Sequence, residues 1–147
     1  CYYSLAISLM KVHQVSAVIN ACLGIIRNPA TQQVLLASRP AGKVLAGYWE
    51  FPGGKLEAGE NAFQALQREL SEELGIWVEL AAMKQIGDLE HQYPHGLAKL
   101  ALIVIESWSG ELTACEGQEL YWSTLDPKTT VAPLLPTTAK IFELLAQ

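Results

Sequence analysis

The sequence predicts an α+β fold in which a mixed β-sheet lies between α-helices. Three observations carry that expectation. Short apolar runs rich in Val, Ile and Leu recur along the chain between Gly, Pro and Asn, as strands do. The segment after Gly53-Gly54 instead carries a helical period, with Phe63, Leu66, Leu70 and Leu74 on one arc. Thr137 to Leu145 repeats an amphipathic pattern at the end of the chain. A length of 147 residues suits one domain able to bury a core.

Taken in order, residues 1–14 are an extension ahead of a single domain at 15–147. CYYSLAISLM is apolar but lacks the basic n-region and cleavage site of a secretory signal. It is either an upstream extension before a start at Met10, or an extra strand or tail, and the sequence leaves both open. Val15 to Ile26 reads as a central strand, Asn28-Pro29 as a turn, and Gln33 to Ser38 as the returning strand. Gly42 to Gly47 is a loop, and Tyr48 to Phe51 a short extended piece. Asn61 is placed to cap the helix, with Gln64 as its capping-box partner, and Gly75 suits the left-handed position that ends it. Trp77 to Leu89 and Leu97 to Trp108 follow as strands, then Glu119 to Ser123 and the last helix.

Composition narrows the function. The net charge is −5, and seven of the fifteen acids lie between Glu50 and Glu79. A nucleic-acid polymer calls for a basic stripe, and this distribution argues against one. No apolar run approaches membrane-spanning length. Cys1, Cys22 and Cys115 are widely spaced, odd in number and without metal-ligand spacing, so they read as free thiols in a reducing, cytoplasmic compartment.

The chemistry is concentrated in one helix. Glu69, Glu72 and Glu73 are spaced i, i+3 and i+4, which puts three like charges on one stripe. An acidic stripe on an amphipathic helix is usually a solvated face, and RELSEEL alone would mean little. Here it follows a glycine pair, and Mg²⁺ takes oxygen ligands shared with phosphate and water. The carbonyls of Gly53 or Gly54 can add ligands, because a residue without Cβ lets the chain approach closely. Arg68 is placed to pair with and orient a glutamate, and Glu60 to sit outside the ligand shell or at the helix start.

Gly54, Glu60, Arg68, Glu69, Leu70, Glu72, Glu73, Gly75 and Ile76 fill every fixed position of G-x5-E-x7-R-E-U-x-E-E-x-G-U, with U a bulky aliphatic residue. In this the chain resembles the Nudix hydrolases, which implies an α/β/α sandwich around a mixed sheet. The resemblance implies Glu69, Glu72 and Glu73 as metal ligands, with Glu69 also a candidate base. SRPAGKVLAGYWEFPGGK and EGQELYW look like the MutT branch, which hydrolyses nucleoside triphosphates to the monophosphate and pyrophosphate. On that likeness Arg39 and Lys55 contact substrate, Glu50 and Phe51 line the nucleotide site, and Glu116 joins the metal or activates water.

The base side matches less closely. Pro136-Thr137-Thr138 stands where purine-cleaning relatives carry Pro-Ala-Asn, so Thr138 replaces an asparagine. Tyr93-Pro94-His95 stands where they carry Phe-Pro-Asp, making Tyr93 a substrate-binding candidate and His95 a weaker one. A hydroxyl makes a single-point contact where a carboxamide offers donor and acceptor together. Thr138→Asn is therefore expected to raise preference for the oxidised purine. His13, His91 and His95 show no metal-ligand spacing.

The resulting expectation is Mg²⁺-dependent hydrolysis of a nucleoside triphosphate, with Mn²⁺ as a substitute ion, acting on 8-oxo-dGTP in nucleotide-pool sanitation. The alternatives are CTP or its oxidised forms, a nucleotide sugar or dinucleotide, and a non-catalytic Nudix-like module. No membrane or nucleic-acid partner is expected, and the chain is expected to be a monomer or weak dimer.

Overall fold

In a computed structural model, which describes residues 17–94 and 96–147, the strands divide between two sheets. The elements are β1 (Ala17–Ile26), β2 (Val34–Ser38), β3 (Trp49–Glu50), β4 (Gly53–Lys55), α1 (Ala62–Leu74), β5 (Met83–Tyr93), β6 (Gly96–Ile105), β7 (Leu120–Ser123) and α2 (Pro136–Leu145). The larger sheet runs β4-β1-β6-β5 and the smaller β3-β2-β7. β1 and β6 pair in parallel in unbroken register, from Ala17 opposite Gly96 to Ile26 opposite Ile105. β4 and β5 flank that pair antiparallel. The fold is a mixed-sheet α+β sandwich, as the sequence predicts.

The division into two sheets comes from the turn after β1. Asn28 accepts the Ala30 and Thr31 amides through its side chain, and Gln32 takes a left-handed φ of 64°. After one bridge between Arg27 and Val34 the returning strand leaves β1 and pairs with β3 and β7. Two cores follow. On one face Leu66, Leu70 and Leu74 of α1 pack with Cys22, Ile103 and Ile105. On the other, Ile141 and Phe142 of α2 pack with Leu23, Ile25, Leu100 and Leu102.

Most expected boundaries lie within a few residues of the observed ones. The predicted strand at Trp77 to Leu89 is the exception. Trp77 makes only an isolated bridge to Ser109, a 3-10 turn occupies Leu80–Ala82, and the strand runs on to Tyr93. Leu-Ala-Ala has no β-branched residue to favour extension there. Val15, Ser16, Met10, His13 and His95 lie outside the described residues. Among the described residues no helix is long and apolar enough to cross a membrane.

Candidate active site

The helix that carries the acids is held at both ends. Asn61 caps it, its side chain accepting the Gln64 amide at 2.9 Å while Gln64 accepts the Asn61 amide at 2.9 Å. Gly75 ends it at φ 66°, donating to the Ser71 carbonyl. Between these caps Arg68 grips the acids. Its guanidinium bonds both oxygens of Glu60, at 2.8 and 2.9 Å, and Oε1 of Glu69 at 2.9 Å. The same group donates to the Lys55 carbonyl at 3.2 Å and stands 3.5 Å from Glu72. Glu60 also accepts the Glu57 amide at 2.8 Å. The Arg68 fork, followed by that amide, holds the Glu60 carboxyl at about 2. Arg68 and Glu60 thus form a brace for Glu69.

The floor of the site is the glycine pair on β4. Backbone bonds join Gly24 to Pro52 and Asn20 to Leu56, so the intervening pair Cys22–Gly54 is also of the hydrogen-bonded type. The Gly54 carbonyl therefore faces β1, and the Cys22 thiol donates to it at 3.4 Å. Burial pushes that thiol up to about 12, so it keeps its proton. The Gly53 carbonyl points to the outer edge of β4, the terminal strand of its sheet. A Cβ on Gly54 would stand 2.6 Å from the Glu69 carboxyl carbon, and one on Gly53 2.1 Å from the Cys22 carbonyl. Only glycine allows Glu69 to lie against the strand.

Glu73 is the unusual acid. Its Oε2 is buried with no hydrogen-bond partner. Burial first, then the charges of Glu69 and Glu116, hold its carboxyl well above the usual range. The loop at 113–119 docks against this end of α1. Thr113 N–H bonds the Leu74 carbonyl at 2.9 Å, and Cys115 N–H bonds that of Glu73 at 3.1 Å. Gln118, buried, donates to the Glu73 carbonyl at 2.9 Å and accepts the Glu116 amide at 2.8 Å. Glu50 enters from β3, its carboxyl raised to about 7 by burial against the opposing pull of Arg39.

The other expected site residues are distributed unevenly. Lys55 is exposed on β4 directly after the glycines. Arg39 is turned inward: its side chain is 1% exposed, and its guanidinium bonds the Val44 carbonyl and stands 3.4 Å from Glu50. It holds the 40–47 loop, where the resemblance implies a substrate contact. Phe51 is a core residue packed edge-on against Phe142 at 6.0 Å, not a surface lining. Thr138 is likewise buried and donates to the Trp49 carbonyl at 3.0 Å, so its hydroxyl tethers α2 to β3 rather than facing a base. Tyr93 is half-buried beside His91, ring centroids 4.7 Å apart, and His91 meets Lys140 at 3.2 Å. Cys22 and Gln118 are the residues sequence reading missed. Cys22 carries no local signal, whereas Gln118 stands inside EGQ and only its glutamate was read.

Among the described residues no three His, Cys, Asp or Glu are gathered closely enough to enclose an ion as they stand. The donors nonetheless fit a hard divalent cation. Glu73 presents a buried, unpartnered oxygen, Glu69 lies against a backbone that only glycine can provide, and the Gly53 carbonyl faces the free edge. An ion there would offset the burial and the repulsion that hold the Glu73 carboxyl high.

Carboxylates aligned along a helix over a glycine strand, on a mixed-sheet sandwich, suit a metal-assisted hydrolase of phosphate compounds. Residues 19–144 match the NUDIX domain family, and the chain belongs to it. It is 39% identical over 105 residues to an 8-oxo-dGTP diphosphatase of Haemophilus influenzae, covering 71% of this chain and 75% of that one. It is 36% identical over 111 residues to a CTP pyrophosphohydrolase of Escherichia coli, covering 76% and 80%. The solution structure of the E. coli ORF135 protein superposes with a TM-score of 0.74 at 31% identity, covering 89% and 90%. The chain is thus a hydrolase acting on phosphoanhydride bonds, in a family whose enzymes work with a divalent metal.

Proposed function

We propose that this protein hydrolyses nucleoside triphosphates to the monophosphate and pyrophosphate with Mg²⁺, or Mn²⁺ in its place, and clears 8-oxo-dGTP from the nucleotide pool. The observation that carries the reading is the buried, unpartnered Glu73 oxygen beside Glu69 and the glycine strand. The names of the relatives support the substrate class. In this reading Glu69, Glu72, Glu73, Glu116 and the Gly53 carbonyl hold the ion. The Gly54 carbonyl is the weaker donor, because Cys22 already bonds it. When bound, the ion neutralises phosphate oxygens and lowers the pKa of a bound water.

The protein's own groups do the rest. Arg68 fixes Glu69 through Oε1, leaving Oε2 to accept a proton from the attacking water. Lys55, exposed directly after the glycines, is the group to meet the phosphates, and Arg39 acts through Glu50 and the 40–47 loop. Tyr93 is the candidate for stacking on the base. The domain is taken as 15–147, acting in the cytoplasm as a monomer or weak dimer.

A second reading, a cytosine triphosphate as substrate, is favoured by the tethered Thr138 hydroxyl, which leaves no carboxamide-like pair for a purine edge. Pyrophosphate release measured with Mg²⁺ on 8-oxo-dGTP, dGTP, 5-hydroxy-dCTP, CTP and dATP decides between them. The highest kcat/KM on 8-oxo-dGTP supports the first reading, and preference for cytosine the second. No release from any triphosphate overturns both.

A further inference from the structure

We propose that Gln118 is a positioning residue that fixes the backbone of Glu116 against that of Glu73, and so sets how the two carboxylates meet across the metal site. The inference rests on reading Glu116 as a carboxylate of that site. Glu116, Gly117 and Glu119 are exposed, whereas Gln118 between them is 7% exposed. A carboxamide carries a donor and an acceptor in one plane. Here the donor reaches the Glu73 carbonyl at 2.9 Å and the acceptor takes the Glu116 amide at 2.8 Å. One side chain therefore joins the backbones of two residues whose carboxylates repel each other.

Gln118 is the side-chain link between these two residues, set beside one backbone bond. The Glu73 carbonyl, at a helix end with no intrahelical donor, also takes the Cys115 amide at 3.1 Å. The far end of the loop is tied to β2, where Ser38 N–H bonds the Glu119 carbonyl at 2.9 Å and Ser38 Oγ accepts the Glu119 amide at 2.9 Å. Between those anchors Gly117 has φ 75°, a turn that leaves Glu116 on an outward bend. Without the Gln118 bridge the Cys115 amide would still hold the chain at Glu73, but the Glu116 amide would lose its partner and its carboxylate would be free to turn away from that of Glu73.

The test is a double-mutant cycle read in two ways. Mn²⁺ binding is measured by its paramagnetic resonance signal on the protein without substrate, and pyrophosphate release is measured against Mg²⁺ concentration. Glu116→Gln is expected to weaken Mn²⁺ binding on the order of 10-fold or more, and Gln118→Leu on the order of 10-fold. Gln118→Asn keeps the polarity but is too short to span both partners, and is expected to match Gln118→Leu. It serves if the leucine variant does not fold. In the Glu116→Gln background either Gln118 substitution is expected to add less than about twofold. Equal effects in both backgrounds, or a lower melting temperature with Mn²⁺ binding unchanged, would overturn the proposal. If Glu116→Gln itself leaves binding and activity intact, the placement of Glu116 in the site fails, and the role of Gln118 with it.

Discussion

β4 with α1 and β3 with α2 are built alike, each a strand of two or three residues beside a helix. They treat polar groups in opposite ways. In the α1 half, Glu69 is pressed against Gly54 and braced by Arg68, while Glu73 keeps a buried oxygen without a partner. In the α2 half the backbone and side chains satisfy one another. The Trp49 carbonyl takes both the Leu135 amide at 3.1 Å and the Thr138 hydroxyl at 3.0 Å, and the Trp49 amide bonds Pro133 at 2.9 Å. Unrelieved charge marks the half that carries the proposed metal site. Apart from Glu50 at the end of β3, polar satisfaction marks the half that supports it.

The comparison can be broken most severely at Glu69. Glu69→Gln is expected to lower kcat on the order of 10²–10⁴-fold while the melting curve stays close to wild type. Near-normal turnover would remove the α1 half as the reacting side. Arg68→Ala should weaken activation by Mg²⁺ about 10–100-fold, read as the ion concentration for half-maximal rate. It should also change acid stability. Glu60 is held at about 2, so its stabilising contribution is present above its ordinary value and is lost as pH falls through about 2. An acid titration of unfolding in Arg68→Ala should lack that loss.

Glu73→Gln sharpens the contrast, because activity and stability should move apart. The Glu73 carboxyl is held high by burial, so the ion-free protein loses stability as pH rises from the ordinary carboxylate value through the raised one. The glutamine variant should be about 1–3 kcal/mol more stable than the ion-free parent at pH 8 and inactive. Equal melting temperatures at that pH would show that Glu73 carries no strain. The smallest effect is expected on the other side. Thr138→Val should cost about 1 kcal/mol of stability with kcat/KM unchanged across the triphosphate panel. Thr138→Asn, on the same geometry, should leave the preference between 8-oxo-dGTP and CTP where it was. A shift toward the purine would turn the α2 half into a recognition surface.

What could be read in advance follows the same divide. Helix spacing is local, so Asn61, Gln64 and Gly75 as caps and Arg68 as partner to the glutamates follow from positions a few residues apart. The split into two sheets depends on a turn held by the Asn28 side chain, and periodicity does not report it. Arg39, Phe51 and Thr138 were assigned by likeness of position. Which way a side chain turns is decided by packing across the chain, and each of these turns inward. Gln118 was hidden for a related reason: its partner Glu73 is remote in sequence, and a lone glutamine in a loop usually faces water.

The parallel pairing of β1 with β6 has a consequence for how the chain comes to be. During synthesis β1, β4 and α1 all emerge before β6, yet one long apolar edge of β1 has no partner until residues 96–105 arrive. Closing a contact across so much chain is slow, and an unpaired edge of that kind invites association with other chains. A nascent or truncated polypeptide ending short of Ile105 would therefore carry the whole acidic helix and still be an aggregation hazard, and the sixth strand is what closes that edge.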